Sequence, residues 1–420
     1  MSHLQYNKLT EMNKIFTSVL VLLAFVANAQ TADSALSNGG AIDVYYDFET
    51  GVKTNVNRTS WDIGLASNPR SSSIIINENA GVELYLYGSD TSMWSTVDTT
   101  GFAFTNIYNS EESWAAGAFS NQGTTHPDYG WGIYDGNTHD INGNRIFIIK
   151  TQGGDYLKVV IDKMAAATGI YTFRTAKLDG SDFKEYAYSK SQAESKDKNF
   201  ALLNLSTGDY TYTNPDAKDW DVVFTKYITF VQQGPNSRYM AVGGLKINDG
   251  YDVAERDGVD VSDDDTSSLS WNTDITEIGY DWKSFDLNTS SYTMVADRAY
   301  FIRTSNGAVW KLWFTNYTVG TANYYFNTKL IKEGTASIKK YTKLNTMVYP
   351  NPSSDAFNIN NGEKEALTVT LLNTQGVTVL ESNVNAFSTT SISTLELSKG
   401  VYFLRLNTTN ATSTQRVIFE

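Results

Sequence analysis

Asn144-Arg145-Ile146-Phe147-Ile148-Ile149-Lys150-Thr151 decides how this chain is read, because it occurs twice. It returns as Asp297-Arg298-Ala299-Tyr300-Phe301-Ile302-Arg303-Thr304. The match runs on at a constant offset, through Gly154 to Lys158 and through Gly307 to Lys311. Both copies continue into β-branched and aromatic runs, Tyr156–Ile161 and Val309–Phe314. Such runs favour strands, since branched and flat side chains pack well on a pleated surface. Gly153-Gly154 and Asn306-Gly307 separate the runs. Residue pairs that accept positive φ are the favoured hairpin turns, so each copy is expected to hold a hairpin here.

Working outward, two more blocks recur in the same order. Tyr129-Gly130-Trp131 is echoed by Tyr280-Asp281-Trp282. Trp61-Asp62-Ile63-Gly64-Leu65 is echoed by Trp220-Asp221-Val222-Val223-Phe224, with Thr50-Gly51 and Thr207-Gly208 upstream. Matched blocks in one order mean internal duplication. The reading is two tandem β domains, about 41–190 and 195–337, with Lys184–Lys198 as a polar linker. Trp61 and Trp220 read as core anchors at strand entries. Asp62 and Asp221 read as bonds to nearby backbone. Helical periodicity is weak after the N-terminal segment. The fold class expected is therefore all-β.

A third unit, 345–420, follows. Strand-like runs sit at Leu367–Leu372, Val377–Leu380, Val401–Leu406 and Arg416–Phe419, with turns at Gly376 and Lys399-Gly400. Val401, Phe403 and Arg405 alternate with Tyr402, Leu404 and Leu406, which suits a small sandwich with one wetter face.

The chain has 420 residues and a net charge of −13, with 13% aromatic residues and no Cys. The acidic balance argues against nucleic acid, whose phosphates attract clustered Lys and Arg. Absence of Cys excludes disulfides, thiolate metal sites, a Cys nucleophile and a thioether lipid anchor. Lys14 precedes the apolar run Ile15–Val26, and Ala27-Asn28-Ala29 precedes Gln30. This is a secretory signal over 1–29, with 1–11 as an upstream extension ahead of Met12. The apolar run is shorter than the ~20 residues of a spanning helix.

Two resemblances bear on function. The tail resembles the type IX secretion sorting domain of Bacteroidetes, through Tyr349-Pro350-Asn351-Pro352, Leu372-Asn373-Thr374-Gln375-Gly376 and Leu397–Leu406. The usual basic end is replaced by Phe419-Glu420. The resemblance implies export to the cell surface or outside, with the type IX machinery as partner. The duplicated part resembles the HmuY-like family of surface proteins. The carrying residues are Phe48-x-Thr50-Gly51, Trp61-Asp62-Ile63 and the Phe147–Lys158 hairpin, with their second-copy counterparts. That resemblance implies haem or porphyrin binding between two axial side chains, delivery to an outer-membrane haem receptor, and a haemophore-like role in iron acquisition.

Axial ligands of haem are His or Met. The candidates are His126 and His139 in the first copy and Met240 and Met294 in the second. His139 and Met294 each precede the matched strand. The histidines read equally as exposed loop residues, and the methionines as core filler. The acidic run Glu255–Asp265 offers oxygen ligands without EF-hand order and reads as a solvated loop. No phosphate loop, His-x-x-x-His or Gly-x-Ser-x-Gly occurs, so a binding protein is expected rather than an enzyme. The alternative to haem is a surface binding or adhesion module for carbohydrate or protein.

Overall fold

A computed structural model describes residues 30–420 apart from 233, 259, 287, 335–343, 374–376, 396 and 409–411. The signal segment and the Gly376 turn lie outside the described residues. The chain divides into two compact units, Met1–Gly334 and Thr335–Glu420. Both are built from antiparallel sheets, as an all-β reading requires.

Among the described residues the larger unit stacks four main sheets, with a two-stranded ribbon, Lys283–Asp286 and Ser291–Met294, beside them. One inner sheet has the order Tyr210–Thr211, Phe200–Leu203, Ile63–Ala66, Ile74–Ile76. The other has the order Arg238–Ile247, Val222–Val231, Ile42–Tyr46, Lys53–Asn57. Alternation along these strands explains the stack. Ile63, Leu65, Ala201 and Leu203 face a first core together with Phe147, Ile149, Val159, Ile161 and Phe173. Ala66, Phe200 and Leu202 face the opposite way and pack with Trp61. Val44, Tyr46, Val222, Phe224, Leu245 and Ile247 face a second core with Tyr300, Ile302, Leu312 and Phe326. Ile63–Ala66, Ile74–Ile76 and Phe200–Leu203 are thus buried on both faces, which is why they read as nearly unbroken apolar runs.

The two outer sheets come from the matched blocks. Ile146–Lys150 pairs with Tyr156–Ala165, and Ala299–Arg303 pairs with Val309–Thr318, as the duplicated hairpins predict. The turns differ from the expected two-residue form. Thr304 N–H donates to Ala308 O, and Gly307, at φ 84°, is the residue that needs left-handed backbone. Lys158 and Lys311 hold matched places: both are buried, and each ammonium donates to a backbone carbonyl of a crossing loop, Trp94 O and Asp263 O respectively.

Strand pairing does not follow the boundaries of the two sequence copies. Phe200–Leu203, early in the second copy, pairs with Ile63–Ala66 of the first. Ile42–Tyr46, early in the first copy, pairs with Val222–Val231 of the second. Thr31–Leu36 adds an edge to Asn323–Lys332. The segment read as a linker also needs correction. Lys184–Ser189 is a strand on Ile170–Lys177, because Tyr186 and Tyr188 fall on one face. Tyr186 stacks on Phe173 at 4.7 Å, and Tyr188 is buried.

The smaller unit is a sandwich of a three-stranded sheet, Thr346–Tyr349, Ala356–Asn361, Thr389–Ser393, and a four-stranded one. The latter runs Thr378–Val384, Leu367–Leu372, Gly400–Asn407, Thr412–Phe419. Tyr402, Leu404 and Leu406 are buried against Phe357, Ile359 and Val369, while Val401, Phe403 and Arg405 face outward.

Candidate functional site

His126 and His139 meet on one exposed loop. Tyr134 OH lies 2.5 Å from His139 Nδ1, and its ring centroid lies 5.2 Å from that of His126. Polar turns surround them: Asp135 accepts the N–H of Asn137, and Asp128 pairs with Arg145 at 2.8 Å. Both histidines are exposed, and His139 adopts φ 62°. Met294, half-buried, lies opposite Lys283 and packs on the second core. Met240 lies opposite Thr229 on another sheet. The structure therefore gathers the two histidines around Tyr134 and places the methionines apart, on the sheets around the second core. A porphyrin needs an apolar slot around its axial donors, and the polar turns at His126 and His139 do not fit that demand. Among the described residues no group of three or more His, Asp or Glu is placed to hold a metal ion. In the acidic run, Asp263 pairs with Arg256, and Asp264 with Lys311 and Lys329. Local cations thus answer its charge.

A different site lies where the inner sheets face each other. A partly open cleft is lined by residues of both. Trp61 and Trp220, the duplicated tryptophans, both line it, with Trp114 of the first copy. Tyr45 meets Trp220 edge-on at 5.0 Å, and Trp114 meets Trp220 edge-on at 6.3 Å. Trp114 Nε1 donates to Ile247 O at 2.8 Å, which fixes its ring.

The duplicated aspartates hold the walls. Asp62, fully buried, accepts the N–H groups of Gln152 and Leu205 at 2.9 and 2.8 Å. Asp221 accepts Phe48 N–H at 2.5 Å and Tyr251 OH at 2.7 Å. Each thus clamps a segment remote in sequence, not the neighbouring backbone. Burial raises both carboxyls above their ordinary value against these donors, Asp221 to about 6. Asn77 and Asn248 then repeat one bond pattern, donating to Trp61 O and Trp220 O.

The polar lining is fixed and incompletely satisfied. Asp43 accepts from Arg58 and from Thr225 Oγ1. Glu78 accepts Asn109 N–H at 2.6 Å, and burial raises its carboxyl. Asn79 Nδ2 donates to Thr225 Oγ1, Asn199 Nδ2 to Asn248 Oδ1, and Asn214 Nδ2 to Phe200 O. Because each amide nitrogen already faces an acceptor, the orientation is set. Among the described residues the three Oδ1 atoms have no partner. Buried acceptors left unpaired cost about 1–3 kcal/mol each, so a donor from a ligand or water is what the lining calls for. Sequence reading found the tryptophans but took them as core alone. The Asn and Lys contributors come from separate strands and carry no local signal.

Comparison with known proteins adds one family. No curated protein matches the chain. A solved structure titled "Biofilm associated protein - BSP domain" is similar at 8% identity, with 93% of this chain and 81% of that one covered, at a TM-score of 0.19; a score this low carries no argument. No helix among the described residues is long and apolar enough to cross a membrane. Residues 347–420 match the family of the secretion system C-terminal sorting domain. This chain thus carries a type IX secretion sorting domain at its C-terminal end and is exported to the cell surface or beyond it.

Proposed function

We propose that this exported protein is a binding protein without catalytic activity, and that its ligand is a small polyhydroxylated molecule, a sugar unit, held in the cleft between the inner sheets. The observation that carries this is the joint lining by Trp61, Trp114 and Trp220 with three unpartnered amide oxygens. Hydroxyl groups donate to amide oxygens, and the apolar faces of sugar rings lie well on indole. Binding of the mature protein to a glycan array, repeated with Trp220→Ala, tests it. Loss of a sugar signal in the variant, with melting still cooperative, supports the reading. An array without signal overturns it.

A haem-binding role is the second reading, with an outer-membrane receptor as partner. It is favoured by the meeting of His126 and His139 at Tyr134. Haemin titration of the wild type and of His126→Ala/His139→Ala decides it. An absent Soret shift, or one unchanged by the double substitution, removes it.

A further inference from the structure

We propose that the cleft selects a sugar bearing an acidic group, carboxylate or sulfate, and that Lys246 recognises that group. This rests on the sugar-binding reading above.

The charged groups lining the cleft are two carboxylates and two lysines, unequally paired. Asp43 is ion-paired with Arg58 at 2.7 Å, and Glu78 accepts the backbone N–H of Asn109. Two lysines, Lys226 and Lys246, line the same space. Among the described residues neither has a carboxylate at ion-pair distance. Lys246 is buried, its ammonium 5.3 Å from the Trp114 ring and 5.1 Å from the Tyr227 ring. Aromatic faces attract a cation but replace little of its hydration. A buried ammonium without an anion is costly, and a partner that brings one relieves the cost. Burial works against charge on Lys246, while Glu78, Glu111 and Asp43 support it from a distance; an incoming anion acts in the same sense as these.

The unpartnered oxygens define the rest of the ligand. Asn79, Asn199 and Asn214 need donors, Lys246 needs an acceptor, and the tryptophans need an apolar face. A hexuronate or a sulfated hexose carries all three on one ring. Lys takes either anion, since it acts as a point charge.

Calorimetry on the mature full chain compares glucuronate, galacturonate and a sulfated hexose with glucose and galactose. The acidic sugars are expected to bind ten- to hundredfold more tightly, as a hydrogen bond to a charged group predicts. Lys246→Met is expected to erase that margin, so that acidic and neutral sugars bind alike. A preference for carboxylate over sulfate, or the reverse, identifies the source of the anion. Equal binding of acidic and neutral sugars by the wild type overturns this inference and leaves the sugar-binding reading standing. Binding of no sugar at all overturns both. The wild-type comparison stands even if Lys246→Met fails to fold.

Discussion

Asp62→Ala removes one carboxylate and strands two backbone donors. Leu205 is fully buried, so its N–H finds no replacement in water and loses about 2–3 kcal/mol. Gln152 is half-buried, and its N–H recovers part of its bond, losing about 1 kcal/mol. Relief of a carboxylate whose burial is unfavourable offsets about 1 kcal/mol. The net expectation is about 2–3 kcal/mol. With a urea slope near the top of the usual range of about 1–3 kcal/mol/M for a large unit, the midpoint falls by about 1 M. Tryptophan fluorescence reports it, because Trp61 adjoins the substitution. Asp62→Asn keeps one acceptor for Leu205 and is expected to lose about half as much. An Asp62→Ala midpoint equal to wild type would refute the clamp, as would an Asn variant no better than Ala.

Other expectations follow from the same geometry. Asp221 titrates at about 6 in the fold against 3.8 ordinarily. The folded state therefore binds the extra proton, and this contribution is present at acid pH and lost as pH rises from about 4 through about 6. Asp221→Asn should remove about 3 kcal/mol of that decline in stability between pH 4 and 7; parallel pH–stability curves for the two proteins would contradict it. Gly143→Ala drives a methyl to 1.7 Å from Ile161 O, so loss of about 3 kcal/mol or more, or failure to accumulate, is expected in thermal melts. Leu404→Ala opens the core of the sorting domain at about 2–5 kcal/mol, and cell fractionation should find the protein retained inside; normal export would show that the packed core is dispensable.

What the sequence disclosed tracks how local each signal is. The duplicated hairpins were legible because Phe147–Lys158 and Phe301–Lys311 form their contacts with close neighbours. So was the tail, whose period of two at Val401–Leu406 maps onto its two faces. The Thr31–Leu36 strand was not legible: Thr-Ala-Asp-Ser-Ala-Leu has little apolar character, as suits an edge. Lys184–Ser189 was lost because its charged flank outweighed two tyrosines. The partners of Asp62 and Asp221 were misplaced for a related reason. The bonds to Leu205 and Phe48 span distant parts of the chain, and spacing along a sequence does not encode such contacts. The cleft is the extreme case, since Lys246, Asn79 and Asn214 share nothing in sequence. The haem candidates show the reverse: residue type pointed to a chemistry that their polar surroundings do not favour.

The closing of the second sandwich by strands from the start of the chain has a kinetic consequence. Ser37 Oγ donates to Ala322 O across 285 residues, and Thr31–Leu36 zips along Asn323–Lys332. Contact order of this kind slows folding, because loop-closure entropy is spent before any pairing rewards it. The first sandwich uses strands only as far as Tyr210–Thr211, whereas the second waits for Asn323–Lys332. A circular permutant of residues 30–334 opening between Asn214 and Trp220, with 334 joined to 30, would make both sandwiches contiguous. It should fold faster than 30–334 in the native order.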